Sequence, residues 1–281
     1  MLAVGRGGAG PATAGPHNAR MTARHAASAP IALVGALHEE LAALLAAMPD
    51  EQPVRAAGRE FWLGHLEGHP VVAVLSRVGK VAAATTATVL LERFGVRAVL
   101  FTGVAGGLAP GVKVGDVVVA TELLQHDLDA SPLFPRYEVP LAGRSRFPAD
   151  AAWAEALAQA AGEVLHDPAA LVGAQAVRDF GLGAPRLHRG LIASGDRFVA
   201  TAAESDALRR DLPDALAVEM EGAAVAQVCH DYGVPFAAVR TVSDRADDAA
   251  HTDFSRFVAT VASHYSEAVL RAALRRWRPA C

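Results

Sequence analysis

The chain has 281 residues, about half of them apolar, and a formal charge of −4. That is material for one large α/β domain or two small ones, and it offers no basic field to hold a polyanion, so a small ligand is expected rather than nucleic acid. Cys229 and Cys281 are too few and too far apart for a disulfide framework, and no Cys-x-x-Cys pair points to zinc, which suits a reducing cytoplasm.

Residues 1–30 are rich in Gly, Ala and Pro and lack the continuous apolar stretch of a secretory signal, so they are expected to form a leader without fixed structure. Translation from Met21 would remove most of it. A single domain is expected over residues 31–278. Apolar runs such as Val117 to Ala120 fall far short of the ~20 residues that cross a bilayer, so no membrane association is expected.

Ile31 to Val34 reads as a strand and Glu39 to Met48 as the helix after it. Phe61 to Leu66 and Val71 to Leu75 flank a polar turn at Glu67 to Pro70 and predict a hairpin, which makes the sheet mixed. Val81, Ala84, Thr88 and Leu91 recur at helical spacing up to Gly95. Ala98 to Phe101 reads as a buried strand running into the glycine-rich loop Thr102 to Leu108. Further strands are expected at Asp116 to Thr121, Gly190 to Ala193, Ala215 to Val218 and Phe236 to Val242. Helices are expected at Ala151 to Val164, after Glu221 with the apolar face Val225, Val228, Cys229 and Tyr232, and from Phe254 to Trp277. Asp167 to Leu187 carries mixed signals and reads as a surface excursion. This alternation predicts a three-layer α/β/α sandwich around a central mixed, twisted sheet, with function at the strand ends.

Some familiar signatures fail. Gly79-Lys80 lacks the upstream glycine and following Ser or Thr of a P-loop, and His38-Glu39 has Ala42 where a zinc protease needs its second histidine. His126 to Asp129 is explained by a polar loop after a strand, so no metal is expected. Carboxylates at strand ends are more informative. Glu219 and Glu221 alternate across Met220 where a buried strand meets a helix, and Ser243-Asp244 closes an apolar strand that also carries Arg240. Glu39 and Glu40 open a helix, where the dipole alone could account for them. The glycines of 102–108 fit either a tight turn or the close approach of a ligand to backbone.

Taken in order, Gly35-Ala-Leu-His-Glu-Glu40, Thr102-Gly-Val-Ala-Gly-Gly-Leu-Ala-Pro110, Val114-Gly-Asp-Val-Val118, Gly190-Leu-Ile-Ala-Ser-Gly-Asp196, Ala217-Val-Glu-Met-Glu221 and Val239-Arg-Thr-Val-Ser-Asp244 resemble the nucleoside phosphorylase and hydrolase superfamily. Within it they are similar to the bacterial 5′-methylthioadenosine/S-adenosylhomocysteine nucleosidases. The resemblance spans Ile31 to about Phe257. It implies that Asp244, helped by Ser243, donates a proton to the departing adenine, burial favouring its protonated form. It implies that an anionic Glu221 binds the 2′ and 3′ hydroxyls and that Glu40, with Arg240 nearby, directs the attacking water. Phe198 and Val199 would flank the base, Ala105 and Gly106 would line the pocket, and Leu37, Met220 and Phe254 would floor the ribose and the 5′ substituent.

A carboxylate at the nucleophile position repels phosphate and suits water, which favours hydrolysis over phosphorolysis. Asp rather than Asn at 244 favours a 6-amino purine. No cofactor is implied. The resemblance also implies a homodimer in which Leu133, Phe134, Pro135 and Tyr137 approach the partner's 5′ site. Departures are Val104, where many relatives carry serine, Leu37 for methionine, His38 for an acid, and the unexplained stretch 167–187. They leave a futalosine or aminofutalosine hydrolase, and a purine nucleoside phosphorylase, as alternatives.

Overall fold

In strand β1 (Ile31–Gly35), Ile31 and Leu33 enter one apolar core while Ala32 and Val34 enter another on the opposite side. A strand buried on both faces has to be apolar throughout, and one sequence run therefore joins two helical layers to a sheet. The computed structural model describes residues 29–246 and 254–277; all but the last two residues of the expected leader, and Cys281, lie outside them.

The strands that follow are β2 (Gln52–Ala56), β3 (Arg59–Leu66), β4 (His69–Leu75), β5 (Ala98–Phe101), β6 (Val104–Gly107), β7 (Val117–Gln125), β8 (Arg146–Pro148), β9 (Leu187–Ser194), β10 (Ala215–Glu219) and β11 (Phe236–Asp244). They form one mixed sheet in the order β2-β3-β4-β1-β5-β11-β6-β10-β9-β7-β8. The predicted hairpin is β3 with β4, antiparallel from Phe61 opposite Val74 to Leu66 opposite His69. All nine residues of β11 are buried, and the strand serves three neighbours in turn. Phe236 to Ala238 pair with β5, Val239 to Thr241 with β7, and Thr241 to Asp244 with β6. Through β7 the far half of the sheet closes back on β11, so the layered sandwich is curled shut at one end.

Helices α1 (His38–Ala46), α3 (Ala151–Val164) and α8 (Ser263–Arg276) cover one face, with Leu41, Leu44, Trp153, Leu157, Tyr265 and Leu270 in the core. Helices α2 (Lys80–Phe94) and α6 (Gly222–Tyr232) cover the other through Ala83, Leu90, Val225 and Cys229. Gly95 and Gly233 end α2 and α6 in left-handed backbone, φ 58° and 67°, as their place after each helix leads one to expect. Helices α4 (Pro168–Asp179) and α5 (Ala202–Asp211) bury little, and the final helix begins with α7 (Phe254–Phe257) and a π turn over Val258–Ala262. Among the described residues no helix is long and apolar enough to cross a membrane.

Three expectations need correction. The buried face of α2 is Ala83, Thr86, Ala87 and Leu90, offset from the predicted stripe, and Val81 is 79% exposed. The glycine-rich loop is largely β6, held by backbone bonds to β10 and β11. The excursion 167–187 is not structureless: it contains α4, broken where Gly173 takes φ 82°, and Leu182 and Ala176 are buried.

Candidate active site

The C-terminal ends of β1, β10 and β11, the start of β6 and the segment 76–79 enclose a cleft of about 760 Å³. It is lined by eleven of the twelve predicted site residues: Leu37, Glu40, Ala105, Gly106, Phe198, Val199, Met220, Glu221, Ser243, Asp244 and Phe254. Val104 lines it too, together with Ala36, Val78, Arg197, Val218 and Glu219.

Glu40 is buried at the first turn of α1. Its carboxylate accepts from the backbone N–H groups of Ala36 at 2.6 Å and Leu37 at 2.9 Å, and of Val104 across the site at 3.1 Å. The dipole alone does not account for it, because the contact to Val104 joins α1 to β6. A Cβ on Gly103, whose φ is 143°, would lie 2.7 Å from Glu40 Oε1, so this carboxylate needs glycine beneath it. Burial raises the pKa of Glu40, opposed by the backbone donors and by the charge of Arg240.

Glu219 and Glu221 have distinct surroundings. Glu219 ends β10 and is enclosed by donors: Arg240 Nη2 at 2.7 Å, the N–H groups of Glu221 and Gly222, and the hydroxyl of Ser194. It is a fully bonded anchor. Glu221, at the N-terminus of α6, accepts from Gly79 N–H at 2.8 Å. Burial, and then the charge of Glu219, push its pKa up, partly offset by Gly79 N–H and Arg240.

Arg240 is the predicted residue that the cleft does not include. It is 2% exposed, packs over the Phe101 ring at 4.1 Å and is bound to Glu219. Its charge reaches Glu40 and Glu221, but its hydrogen bonds go to the structural carboxylate.

Asp244 closes β11. Its Oδ1 accepts from Ala246 N–H at 2.8 Å and its Oδ2 from the Ser243 hydroxyl at 2.7 Å. Register against β6 shifts between Val242 and Asp244, an irregularity of the kind that re-aims side chains, and both Ser243 and Asp244 line the cleft. Gly106 allows the approach, since a Cβ there would sit 3.0 Å from Asp244 Oδ1. On the opposite wall Phe198, 40% exposed, stands edge-on to Phe254 with ring centroids 6.2 Å apart.

Gly79 fails as part of a P-loop, and its part as a donor to Glu221 has no side-chain signature in the sequence; its φ of 94° is the trace it leaves. Among the described residues no group of three His, Cys, Asp or Glu side chains is placed to hold a metal. Cys229 is buried and its thiol is pushed up to about 12, which leaves it unreactive.

Residues 30–275 match the family model of the Phosphorylase superfamily. A 5′-methylthioadenosine/S-adenosylhomocysteine nucleosidase of Anoxybacillus flavithermus is 39% identical over 239 residues, which are 85% of this chain and 95% of that protein. The structure resembles that of the nucleosidase of the same name from Neisseria meningitidis, solved with methylthio-immucillin-A. The TM-score is 0.77 and the identity 35%, over 89% of this chain and 100% of the other. The futalosine hydrolase of Helicobacter pylori is also similar, at TM-score 0.75 and 31% identity, over 87% and 97% of the two chains. The chain belongs to the Phosphorylase superfamily and, within it, to the 5′-methylthioadenosine/S-adenosylhomocysteine nucleosidase family.

Proposed function

We propose that this protein hydrolyses the N-glycosidic bond of 5′-methylthioadenosine and S-adenosylhomocysteine, releasing adenine and the 5′-thioribose product. The observation that carries the reading is that Asp244, Glu221 and Glu40 converge on one mostly apolar cleft from three separate elements. Asp244 donates to N7 as the bond to the anomeric carbon breaks, so adenine leaves neutral. Positive charge grows on the sugar, and Glu221, bonded to its hydroxyls, stabilises it in the carboxylate form, which the Gly79 N–H and Arg240 favour against burial and Glu219. Water adds to the anomeric carbon and gives its proton to Glu40, whose raised pKa suits a base working near neutrality. Glu40 then gives its proton to solvent and Asp244 takes one back, which completes the cycle.

Leu37, Val78 and Phe254 present apolar surface to a thioether, which has no strong hydrogen-bonding group. With Val104 in place of serine, this position gives Glu40 a backbone N–H but no hydroxyl. The protein acts in the cytoplasm, in the salvage of methionine, as a homodimer. Exposure of Leu133 at 84% and of Pro135 supports the dimer, although Phe134 and Tyr137 are partly buried in their own chain.

The experiment is chromatographic detection of free base from methylthioadenosine, S-adenosylhomocysteine, aminofutalosine, futalosine and adenosine, with and without phosphate. Adenine from the first two without phosphate is expected, and strict phosphate dependence would overturn hydrolysis. A futalosine-type substrate is the second reading, favoured by the likeness to the Helicobacter pylori hydrolase.

A further inference from the structure

Beside the main cleft, on the far side of Leu37 and Val78, lies a second surface cleft lined by His38, Arg55, Arg59, Glu60 and Arg77 among others. The two are flanked by the same two chain segments: Leu37 and Val78 line one, and their neighbours His38 and Arg77 line the other. A 5′ substituent leaving the main cleft between Leu37 and Val78 therefore meets the second.

Two features mark this surface as built to hold negative charge. Arg59 and Arg77 lie close enough to feel each other's charge, yet among the described residues neither forms an ion pair. Their bonds go to main-chain carbonyls instead. Arg59 donates to Ala57 at 2.8 Å and Ala82 at 2.9 Å, and Arg77 donates to Gly58, which ties both to the β2–β3 turn. Arg59 Nε is buried without a partner. The one carboxylate of this cleft, Glu60, pairs with Arg55 at 3.4 Å, so Arg59 and Arg77 are kept together with no ion-pair partner of their own among the described residues, a Coulomb cost that an anion would offset. The second feature is backbone. Arg77 takes φ 64°, a conformation that strains a non-glycine residue and that glycine would adopt freely. A long cation is kept where the chain prefers glycine, one residue from Val78 and two from the N–H that holds Glu221.

We propose that this cleft receives a carboxylate carried by the 5′ substituent of the nucleoside, with Arg77 and Arg59 as its ligands. The proposal rests on the nucleosidase reading above and makes acidic 5′ tails preferred substrates. A homocysteinyl tail and an aryl acid present the same charge. Glu60, at the same cleft, is held by Arg55 through Oε1 at 3.4 Å and has its other oxygen for the ammonium group that only the homocysteinyl tail carries.

The test compares S-adenosylhomocysteine with its methyl ester, and a 5′-linked aryl acid with its ester, by adenine release and by calorimetric binding to the full chain. Methylthioadenosine serves as the control for turnover. Wild type is expected to favour each preferred acid over its ester by about tenfold in kcat/KM, the worth of one charge-assisted hydrogen bond. Arg77→Gly suits the backbone, so the variant folds, and it should bring that ratio close to one; Arg77→Lys should restore part of it. A preference confined to the homocysteinyl pair, or to the aryl pair, identifies the tail. Equal rates for acid and ester in wild type, or equal losses for both in Arg77→Gly, overturn the proposal. If wild type turns over none of these nucleosides, the nucleosidase reading fails, and calorimetry decides separately: acid and ester bound equally, or neither bound, overturns the carboxylate site as well.

Discussion

Asp244 and Glu221 face the same cleft with different neighbours, and the neighbours set what each can do. Asp244 sits between a hydroxyl and a backbone N–H, so Asp244→Asn keeps the bond from Ala246 N–H, reverses the one with Ser243 so that the amide donates to its hydroxyl oxygen, and should fold normally while losing the transferable proton. Turnover of methylthioadenosine is expected to fall by about 10²–10⁴-fold with an unchanged melting curve; a near-normal rate would remove Asp244 as the acid. Glu221 carries a different signature. Its carboxyl is raised from the ordinary 4.5 by burial and by Glu219, so protonation favours the folded state. That contribution is full below the unfolded value of 4.5 and is lost as pH rises through the raised folded value. Glu221→Gln should therefore flatten the decline in unfolding free energy between about pH 5 and about pH 8, as read by denaturant titration. An unaltered slope would mean that Glu221 is already ionised throughout that window.

At the scale of elements, the junction of β5 and β6 shows how a strand start controls a side chain on a different helix. Gly103 leaves room for Glu40 where any Cβ would meet its oxygen at 2.7 Å. Gly103→Ala is expected to displace Glu40 and lower kcat/KM by about a hundredfold, the size of effect that an ångström of misplacement produces; assay beside circular dichroism separates this from unfolding. The same region explains what the sequence made legible. Strands such as β1, β5 and β11 announce themselves because burial on both faces leaves no polar option. The glycines of β6 read as a loop because they lack the branched side chains that mark strands, and its pairing partners lie more than a hundred residues away. Polar edge strand β2 and the charged helix α5 bury too little apolar surface to show a period. On α2 the helical spacing of Val81, Ala84, Thr88 and Leu91 does not mark the core face, because the helix packs through Ala83, Thr86, Ala87 and Leu90 and leaves Val81 outward. Eleven of twelve site residues line one cleft because their motifs sit at strand ends; Arg240 could not be assigned because its partner Glu219 is 21 positions away.

For the whole molecule, the exposed apolar side chains are unevenly placed. Leu133 and Leu141 are 84% and 93% exposed within one stretch, and Val78 and Val81 stand out beside the active cleft. Isolated exposed leucines need no explanation, but two so exposed within one short stretch suit contact with a second copy of the chain. Leu133→Glu is expected to shift sedimentation from dimer towards monomer and to raise KM for methylthioadenosine more than it lowers kcat. A monomeric wild type with full activity would dispose of the homodimer.

Strand β11 gives its edges to β5, β7 and β6 in succession while ending in the candidate acid. The two halves of the sheet cannot part without breaking that strand's pairings. Its amides from Val239 to Val242 can exchange with deuterium only when the two halves of the sheet separate together, so their protection should equal the full stability of the domain. The seat of Asp244 is thus the last place to soften on heating, and loss of activity should coincide with global melting rather than precede it.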